Sequence, residues 1–441
     1  MAISNFPAAL VPIIQTGYLE RAFQQGLRSK LAFREIADRE EFSVRVGETI
    51  TKTRAGLKAP ALTPMTPANN TNFDNGMTPS GWAVEQYTLT LNQYGDTIDL
   101  NTVTDRVGIA SQFVQNAIVN GVQASTTLDR LARDALFAKY LGGATSVKTT
   151  LGAPGTALAV DDIRGFQTVF IAGVPTPIGA GANAMAITVN GATASATAAV
   201  ADVVNVSSAI GSGGISGVLT TAANVSVANG TAGNAVLSAG GATVLRPAGR
   251  ATSGALIAAD LLTMSVLLDA VALLRRNNVP TISGYYNLYC DPVSARELFA
   301  DADFKLLFSA TGNQMSPDYR KGMVSDFLGL RFITTTEAYT QALAGVGTIH
   351  RPVVCGQGAL VEGVFAGMDA HDVAPGASII SMVDDVVMCT REPLDRLQQI
   401  IAQSWYTILG YAVPTDTTVN TNIVPTATNT AYKRAVVIEH V

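Results

Sequence analysis

The fold is decided by three stretches of sequence: Leu256-Ile-Ala-Ala-Asp-Leu-Leu-Thr-Met-Ser-Val-Leu-Leu-Asp-Ala-Val-Ala-Leu-Leu-Arg-Arg276, then Tyr285-Tyr-Asn-Leu-Tyr-Cys-Asp-Pro292, then Gly329-Leu-Arg-Phe-Ile-Thr-Thr-Thr336. In the first stretch, apolar residues recur every three or four positions, which predicts a helix with one apolar face. These residues are Leu261, Met264, Leu268, Val271 and Leu274. Asp260 falls in the predicted first turn and two arginines fall in the last, which suits the helix dipole at both ends.

The second and third stretches predict two strands with a helix between them. Tyr285 to Cys290 is short, apolar and aromatic, so we expect a buried strand there. Asp291 is then placed as the N-cap of the next helix and Pro292 as its first residue. The β-branched run from Arg331 to Thr336 predicts the second strand.

This order of helix, strand, Asp-Pro turn, helix and threonine-bearing strand resembles the central part of tailed-bacteriophage major capsid proteins. The residues that carry the resemblance are Asp291-Pro292, Arg296-Glu-Leu298 and Leu328-Gly-Leu-Arg-Phe-Ile-Thr334. An ordinary βαβ piece of an enzyme domain could carry the same pattern. The rest of the chain favours the capsid family, whose fold class is α+β. That fold comprises an N-terminal arm, an extended hairpin loop, a peripheral domain with a long spine helix, and an axial domain.

Composition and charge exclude several classes of protein. Of the 441 residues, 48% are hydrophobic and only 14% are charged, against about 25% in typical soluble domains. Much of the surface is therefore buried or covered in an assembly. The net charge of −5 argues against a tight nucleic-acid binder. No apolar run is long enough for a transmembrane helix, and the first residues lack the basic region of a signal peptide.

Residues 1–40 are predicted to form an amphipathic helical arm, because Leu19, Phe23, Leu27 and Leu31 recur at a spacing of four. The resemblance implies that such an arm contacts a neighbouring subunit. The alternative, a helix docked on the core of its own domain, is equally open. The predicted arm contacts are Leu19, Phe23, Leu27, Arg28 and Arg34.

Residues 41–104 are predicted to form an extended hairpin loop. Polar and apolar residues alternate from Glu41 to Lys52 and from Trp82 to Leu91, on either side of a stretch rich in Pro, Asn, Thr and Gly. The resemblance implies that this hairpin lies across a neighbouring subunit; a disordered surface loop is the alternative. The predicted intersubunit residues are Arg45, Lys52, Arg54 and Lys58, through ion pairs and not through a covalent crosslink.

Residues 105–145 contain the longest helical pattern, which resembles the spine helix of the capsid family. The pattern runs from Asp105 to Leu141 and ends at Gly142-Gly143. Its charged pairs, Asp129-Arg130 and Arg133-Asp134, are expected to lie off the apolar face.

Residues 146–252 change character abruptly. Asp202 is the only charged residue between Arg164 and Arg246, and Gly, Ala, Thr, Ser and Val dominate. We expect a sandwich-like all-β insertion domain, with a disordered linker as the alternative. Residues 253–441 then form the remainder of the peripheral domain and the axial domain.

The search for a chemical site finds no converging set of residues. His350, His371 and His440 lie far apart in the sequence, and no Gly-x-Ser-x-Gly elbow supports a catalytic serine. Asp384-Asp385 is more often a turn than a metal site. The three cysteines, Cys290, Cys355 and Cys389, are interpreted as buried free thiols. We therefore expect no catalytic, cofactor-binding or metal-binding residues, and no enzyme activity.

The resulting hypothesis is a major capsid protein that self-assembles into pentamers and hexamers of an icosahedral phage head. The head would enclose double-stranded DNA without sequence-specific binding. The expected partners are other copies of the chain and scaffolding, portal and decoration proteins, with no membrane. The expected location is the virion, assembled in the host cytoplasm. The alternatives are an encapsulin-like bacterial shell protein and, in other classes, a secreted surface-layer or adhesin protein and an enzyme.

Overall fold

A computed structural model describes residues 23–24, 32–42, 49–55, 62, 84–101, 112–171, 174–201, 216–238, 241–305, 326–343, 346–365, 378–391, 399–416 and 431–441. Over these residues many strands combine with a few helices, which confirms the α+β class. No helix in these ranges is both long enough and apolar enough to cross a membrane.

The strands in chain order are β1 (Ala37–Phe42), β2 (Thr49–Ala55), β3 (Val84–Thr90), β4 (Asn92–Asn101), β5 (Ala144–Ser146), β6 (Gly155–Val160), β7 (Thr168–Ile171), β8 (Val174–Pro177), β9 (Met185–Val189), β10 (Ala192–Ala201), β11 (Gly217–Val225), β12 (Ala235–Ser238), β13 (Val244–Leu245), β14 (Tyr286–Cys290), β15 (Asp326–Phe327), β16 (Leu330–Thr334), β17 (Tyr339–Leu343), β18 (Gly347–Arg351), β19 (Val353–Cys355), β20 (Leu360–Phe365), β21 (Ser378–Val383), β22 (Val386–Arg391), β23 (Ile400–Ala412) and β24 (Ala435–Ile438). The longer helices are α1 (Gln112–Tyr140), α2 (Met264–Arg276) and α3 (Pro292–Ala300). Short 3-10 helices occupy Phe33–Ile36, Gly181–Asn183, Pro247–Gly249 and Ser253–Ala255.

The chain divides into two compact units. Unit 1 consists of residues 1–50, 88–135 and 360–413, and unit 2 consists of residues 51–87, 136–359 and 414–441. Each unit combines parts of several of the five segments predicted from the sequence. The two units therefore do not test that division, which stays a prediction.

Unit 1 is built on a six-stranded sheet of order β1-β20-β23-β22-β21, with β4 also paired to β23. β1 runs parallel to β20, and the other pairs are antiparallel. Alternate residues of β23, such as Trp405 and Leu409, are buried and share a core with Ala124 and Leu128 of α1. Gly410 is required in β23, because a Cβ atom there would lie 1.9 Å from the carbonyl oxygen of Thr90.

Two elements of unit 1 differ from the sequence predictions. Residues 37–40, predicted to end a helical arm, belong to strand β1, because they pair in parallel register with β20. Strand β4 was not predicted, since its sequence is polar and its residues are mostly exposed. It forms because ten of its residues pair with β23, from Asn92 opposite Leu409 to Asn101 opposite Ile400.

The first sheet of unit 2 comes from the β-rich insertion. Its six strands are all antiparallel, in the order β5-β12-β9-β10-β11-β6. Only the hairpin β7–β8 accompanies it in this part of the described chain, with Phe166 and Val169 packed on the sheet's core. The described part of the insertion is therefore all β, as expected, and consists of one six-stranded sheet with a hairpin packed on it. Residues enter and leave the insertion side by side: the amide of Val147 donates to Asn234 and that of Gly233 donates to Val147.

The second sheet of unit 2 has the order β13-β24-β19-β14-β16-β15. β14, α3 and β16 form the predicted strand-helix-strand unit, with the two strands parallel. Asp291 is the N-cap of α3, its carboxylate accepting from the amide of Val293, and Pro292 is the first residue. β13 pairs with β24, so residues 244–245, assigned to the insertion, belong to this sheet.

Helix α2 begins later than predicted and presents a different face. It starts at Met264, because the carboxylate of Asp260 instead accepts from the amide of Ile257. The helix N-terminus is satisfied by a carboxylate from outside the helix, since Met264 donates to Asp301 at 2.8 Å. The predicted apolar face was wrong in part: Leu261 and Leu268 are 38% and 39% exposed. The buried residues are Val266, Leu267, Ala270, Val271 and Leu274.

Candidate functional site

The carboxylate of Asp129 holds the segment that precedes β1. Its Oδ1 accepts from three successive backbone amides, those of Ala32, Phe33 and Arg34, at 2.8, 2.7 and 3.2 Å. Asp129 and Arg133 are both buried, at 0% and 3% exposure. The expectation that these charged residues lie off the buried face of α1 is therefore wrong: the amides of residues 32–34 satisfy Asp129, and the guanidinium of Arg133 bonds to Asp134.

Arg34 connects the same segment to the sheet of unit 1. Its Nε lies 2.7 Å from Oε1 of Glu362 and its Nη2 lies 3.1 Å from Oδ2 of Asp385. Burial would lower the pKa of Arg34, but the carboxylates of Glu362 and Asp385 raise it above its usual value. Arg39 and the hydroxyl of Tyr411 also contact Glu362, at 3.3 and 2.9 Å. The result is a buried charged network, here called the Arg34 network.

Asp384 and Asp385 form the two-residue turn between β21 and β22, as their predicted turn role requires. Their φ angles are 46° and 67°, in the left-handed region that Asp tolerates better than most residues. Asp385 then contributes its carboxylate to the Arg34 network and its carbonyl oxygen to the hydroxyl of Thr407. The pair therefore serves this network.

Two of the five predicted arm residues lie in the core of their own unit. Phe23 is fully buried beside Ala124, Leu128 and Trp405, and Arg34 is 2% exposed. The predicted contacts of Phe23 and Arg34 with a neighbouring subunit stay predictions. Leu19, Leu27 and Arg28 lie outside the described residues, so their roles stay predictions.

Two of the four predicted hairpin residues, Lys52 and Arg54, belong to strand β2. β2 and β3 form a two-stranded sheet, with the hydroxyls of Thr49 and Thr90 3.2 Å apart. Lys52 is half-buried in β2, and the backbone of Arg54 belongs to the same strand. Arg45 and Lys58 lie outside the described residues. The intersubunit role of all four residues stays a prediction.

Unit 2 contains a second buried polar network, which links α3 to His350 and His440. The two imidazole rings stack with centroids 5.4 Å apart, and the two backbones exchange hydrogen bonds of 2.8 and 3.1 Å. Nδ1 of His350 lies 2.8 Å from Oδ2 of Asp291, and Nδ1 of His440 lies 3.0 Å from Oε2 of Glu297. His350 and His440, which are 90 residues apart in the sequence, are thus neighbours in the fold; His371 lies outside the described residues.

The electrostatics of this histidine network favour ionised carboxylates. Burial would raise the pKa of Asp291, but His350, Ser294 and His440 outweigh burial and lower it to about 2. Burial would likewise raise the pKa of Glu297, and His440 and the amide of Leu262 lower it. The network therefore joins the segment after β24 to α3 through the Ser294–His440 hydrogen bond and the close contact of His440 with Glu297.

Ser294, His440 and Glu297 have the connectivity of a catalytic serine triad. Oγ of Ser294 lies 2.7 Å from Nε2 of His440, whose Nδ1 faces Glu297. Ser294 and His440 are, however, both 0% exposed, and the serine hydroxyl also bonds the carboxylate of Asp291. A nucleophilic serine needs access to substrate and a proton directed at the imidazole. The arrangement is therefore a structural link, which the sequence could not reveal because its members are distant in the chain.

A third buried network surrounds Glu439. Its carboxylate lies 2.7 Å from Nε of Arg246 and 2.8 Å from Nε of Arg351, and it accepts from the hydroxyl of Ser253 at 2.8 Å. Burial would raise the pKa of Glu439, but the two arginines lower it to about 2. Arg246 was assigned to the insertion by sequence, yet this contact places it with the second sheet of unit 2.

The described residues offer little for redox or metal chemistry. The three cysteines are free thiols; Cys290 and Cys355 are buried as expected, and Cys389 is half-buried. Burial raises the pKa of the Cys290 thiol to about 12, which disfavours the reactive thiolate. Within the described ranges, no group of three or more His, Cys, Asp and Glu side chains is placed to hold a metal ion.

Comparison with known proteins gives structural likeness only. No family model and no curated protein matches the chain. The chain is similar to the capsid of cyanophage P-SCSP1u, at 11% identity and a TM-score of 0.47, over 94% of this chain and 89% of that one. It is similar to the capsid of Ralstonia phage GP4, at 11% identity and a TM-score of 0.48, over 94% of this chain and 92% of that one. It is also similar to the cyanophage Pam1 capsid asymmetric unit, at 14% identity and a TM-score of 0.45, over 90% of this chain and 86% of that one.

All three are phage capsid structures. TM-scores and identities this low leave the function to be argued from the chain's own residues.

Proposed function

We propose that this chain is the major capsid protein of a tailed phage, a structural protein and not an enzyme. The observation that carries the proposal is the arrangement of β2, β3 and α1. Two paired strands flank a long stretch rich in Pro, Asn and Thr, and the 29-residue helix α1 follows them. That is the order of hairpin and spine helix expected from the resemblance.

The buried networks support a structural role. Most of the charged side chains of unit 1 around Arg34, and those of unit 2 around His440 and Glu439, are buried, and they contact one another. None of these three networks presents an acid, a base and a nucleophile to solvent together. Their effect is to fix the geometry of each unit, which suits a subunit that must repeat identical contacts many times.

The proposed assembly is a shell of pentamers and hexamers around double-stranded DNA. In it, the hairpin with Arg45, Lys52, Arg54 and Lys58 contacts acidic surface on a neighbouring copy. The net charge of −5 fits a wall that encloses DNA without sequence-specific binding. Scaffolding, portal and decoration proteins are the proposed partners, and the subunit assembles in the host cytoplasm and resides in the virion.

Negative-stain electron microscopy of the purified protein, with sizing chromatography beside it, tests the proposal. We expect closed icosahedral shells or rings of five and six subunits. A variant in which a short Gly-Ser linker replaces residues 56–83 keeps its fold and loses the shells. Replacing residues 202–215, in the insertion, by the same linker serves as the control and retains them. A small oligomer that forms no shell even when co-expressed with the other head proteins would contradict the proposal.

A further inference from the structure

A cavity of about 380 Å³ lies within unit 2, between the end of α1 and the sheet of the insertion. Backbone of Gly142, Gly165 and Gly241 lines part of it, so main chain rather than bulky side chains forms that wall. Ala186 and Met185 contribute apolar surface on another side. A concave site with apolar walls and a few polar groups is the usual form of a ligand pocket.

Lys139 supplies the charge of this cavity. Its side chain lines the cavity, and its ammonium has no hydrogen-bond or ion-pair partner among the residues that the structure describes. Burial lowers the pKa of Lys139, and no carboxylate opposes this effect. Gln167 and Ser238 also line the cavity, and their side chains likewise have no partner in the described ranges. A lysine ammonium, a glutamine amide and a serine hydroxyl, each able to donate a hydrogen bond, therefore line one space.

The other cation of the wall, Arg164, is already neutralised. Its guanidinium makes hydrogen bonds of 2.9 and 3.1 Å to the two carboxylate oxygens of Asp162, and donates to the hydroxyl of Tyr339 at 2.9 Å. The cavity lining includes no Asp or Glu. The stretches next to the lining that lie outside the described residues, 172–173, 239–240 and 417–430, contain no Asp or Glu either. The positive charge of Lys139 is thus left without a counter-charge from these parts of the chain.

We propose that this cavity binds a carboxylate carried on a short apolar stem, such as the side chain of a glutamate. The carboxylate would pair with Lys139 and accept hydrogen bonds from Ser238 and Gln167, while its stem would lie against Met185 and Ala186. Duplex DNA fits the site poorly. A duplex needs several cations spread along an open surface, and this is a concave pocket of about 380 Å³ with one unbalanced cation.

Lysine acylation with mass-spectrometric readout tests the proposal on the unassembled subunit, with glutarate as the probe. Glutarate should slow acylation of Lys139 saturably, by about tenfold if the ion pair raises the lysine pKa by about one unit. Lys148, which is exposed and bonded to Ser216, is the internal control and should react at an unchanged rate. In ligand-observed NMR, Lys139→Met should abolish glutarate binding and Lys148→Met should not.

Two further arms identify the ligand. Inorganic phosphate should protect Lys139 far less than glutarate, because it has no stem for the apolar wall. In assembled particles without additive, a protected Lys139 means that a neighbouring copy supplies the carboxylate. If Lys139 reacts in these particles and added glutarate protects it, the natural ligand is a free carboxylic acid. This arm alone rests on the proposed function, since it requires particles. Unchanged acylation of Lys139 in glutarate, or equal protection by phosphate, would overturn the proposal whether or not particles form.

Discussion

At the scale of single residues, burial separates side chains that the sequence presents as equivalent. Arg34 and Arg39 face the same two carboxylates, those of Glu362 and Asp385, but their side chains are 2% and 57% exposed. A buried carboxylate that loses its cation keeps its full desolvation cost, whereas an exposed pair is worth little. The two arginines therefore provide a matched comparison.

We expect Arg34→Met to lower the free energy of unfolding by about 3–5 kcal/mol, because it leaves Glu362 buried without its closest cation. Arg39→Met should cost at most about 1 kcal/mol. Urea denaturation of both variants, followed by circular dichroism, measures the difference. Equal losses in the two variants would mean that the Arg34 network does not fix the segment before β1.

The pKa of Glu439 gives a prediction for pH. The folded-state pKa, about 2, lies below the ordinary value of a glutamate because Arg246 and Arg351 stabilise its charge. The stability from this network is therefore complete above the unfolded-state pKa of about 4.3, and is lost as the pH falls through about 2. Urea titrations from neutral to acid pH should show this decline. Glu439→Gln, less stable at neutral pH, should show a shallower decline; an equally steep one would contradict the assignment.

At the scale of elements, local sequence was sufficient where local interactions decide the structure. The strand Tyr286–Cys290, the Asp291 cap and the strand Leu330–Thr334 were all predicted, because apolar runs and capping residues act within a few positions. Strand β4 was missed because the strand that it pairs with in the described part of the structure, β23, lies far along the chain. The face of α2 was misassigned because several of its positions are apolar, and only the neighbouring sheet selects which are buried.

The buried face of α2 can be tested with adjacent leucines. Leu267 is 1% exposed in the core of the second sheet of unit 2, whereas Leu268 is 39% exposed. Leu267→Ala should lower the free energy of unfolding by about 2–5 kcal/mol through the cavity it leaves. Leu268→Ala should cost less than about 1 kcal/mol, as expected for a surface position. Thermal or chemical denaturation ranks the two; the reverse order would restore the face predicted from sequence.

At the scale of the whole molecule, the composition change at residues 146–252 located the β-rich insertion but not its limits. Val244 and Leu245 pair with β24 and Arg246 pairs with Glu439, so the chain has already returned to the second sheet before Thr252. The sequence likewise did not predict which residues form the buried polar networks. Asp129 with the 32–34 amides, and His350 with His440, come together only through tertiary folding, which residue spacing does not reveal.

Two deletions test where the β-rich insertion begins and ends. Removing residues 148–233 and joining Val147 to Asn234 through a Gly-Gly linker should leave a folded subunit, because the amide of Val147 already donates to the carbonyl oxygen of Asn234 at 2.9 Å. Removing residues 146–252 should abolish cooperative unfolding, because it strips Arg246 from the buried Glu439. Circular dichroism during heating measures both. Loss of cooperative unfolding in the shorter deletion would show that the insertion sheet is integral to unit 2.

The side-by-side entry and exit at Val147 and Asn234 also has a practical consequence. Any foreign domain whose own two termini lie close together could replace residues 148–233 without spreading the strands on either side. If the chain forms a shell as proposed, every copy would carry the grafted domain. Val147 and Asn234 would then mark an insertion site, and the particle would present many copies of a chosen antigen or enzyme.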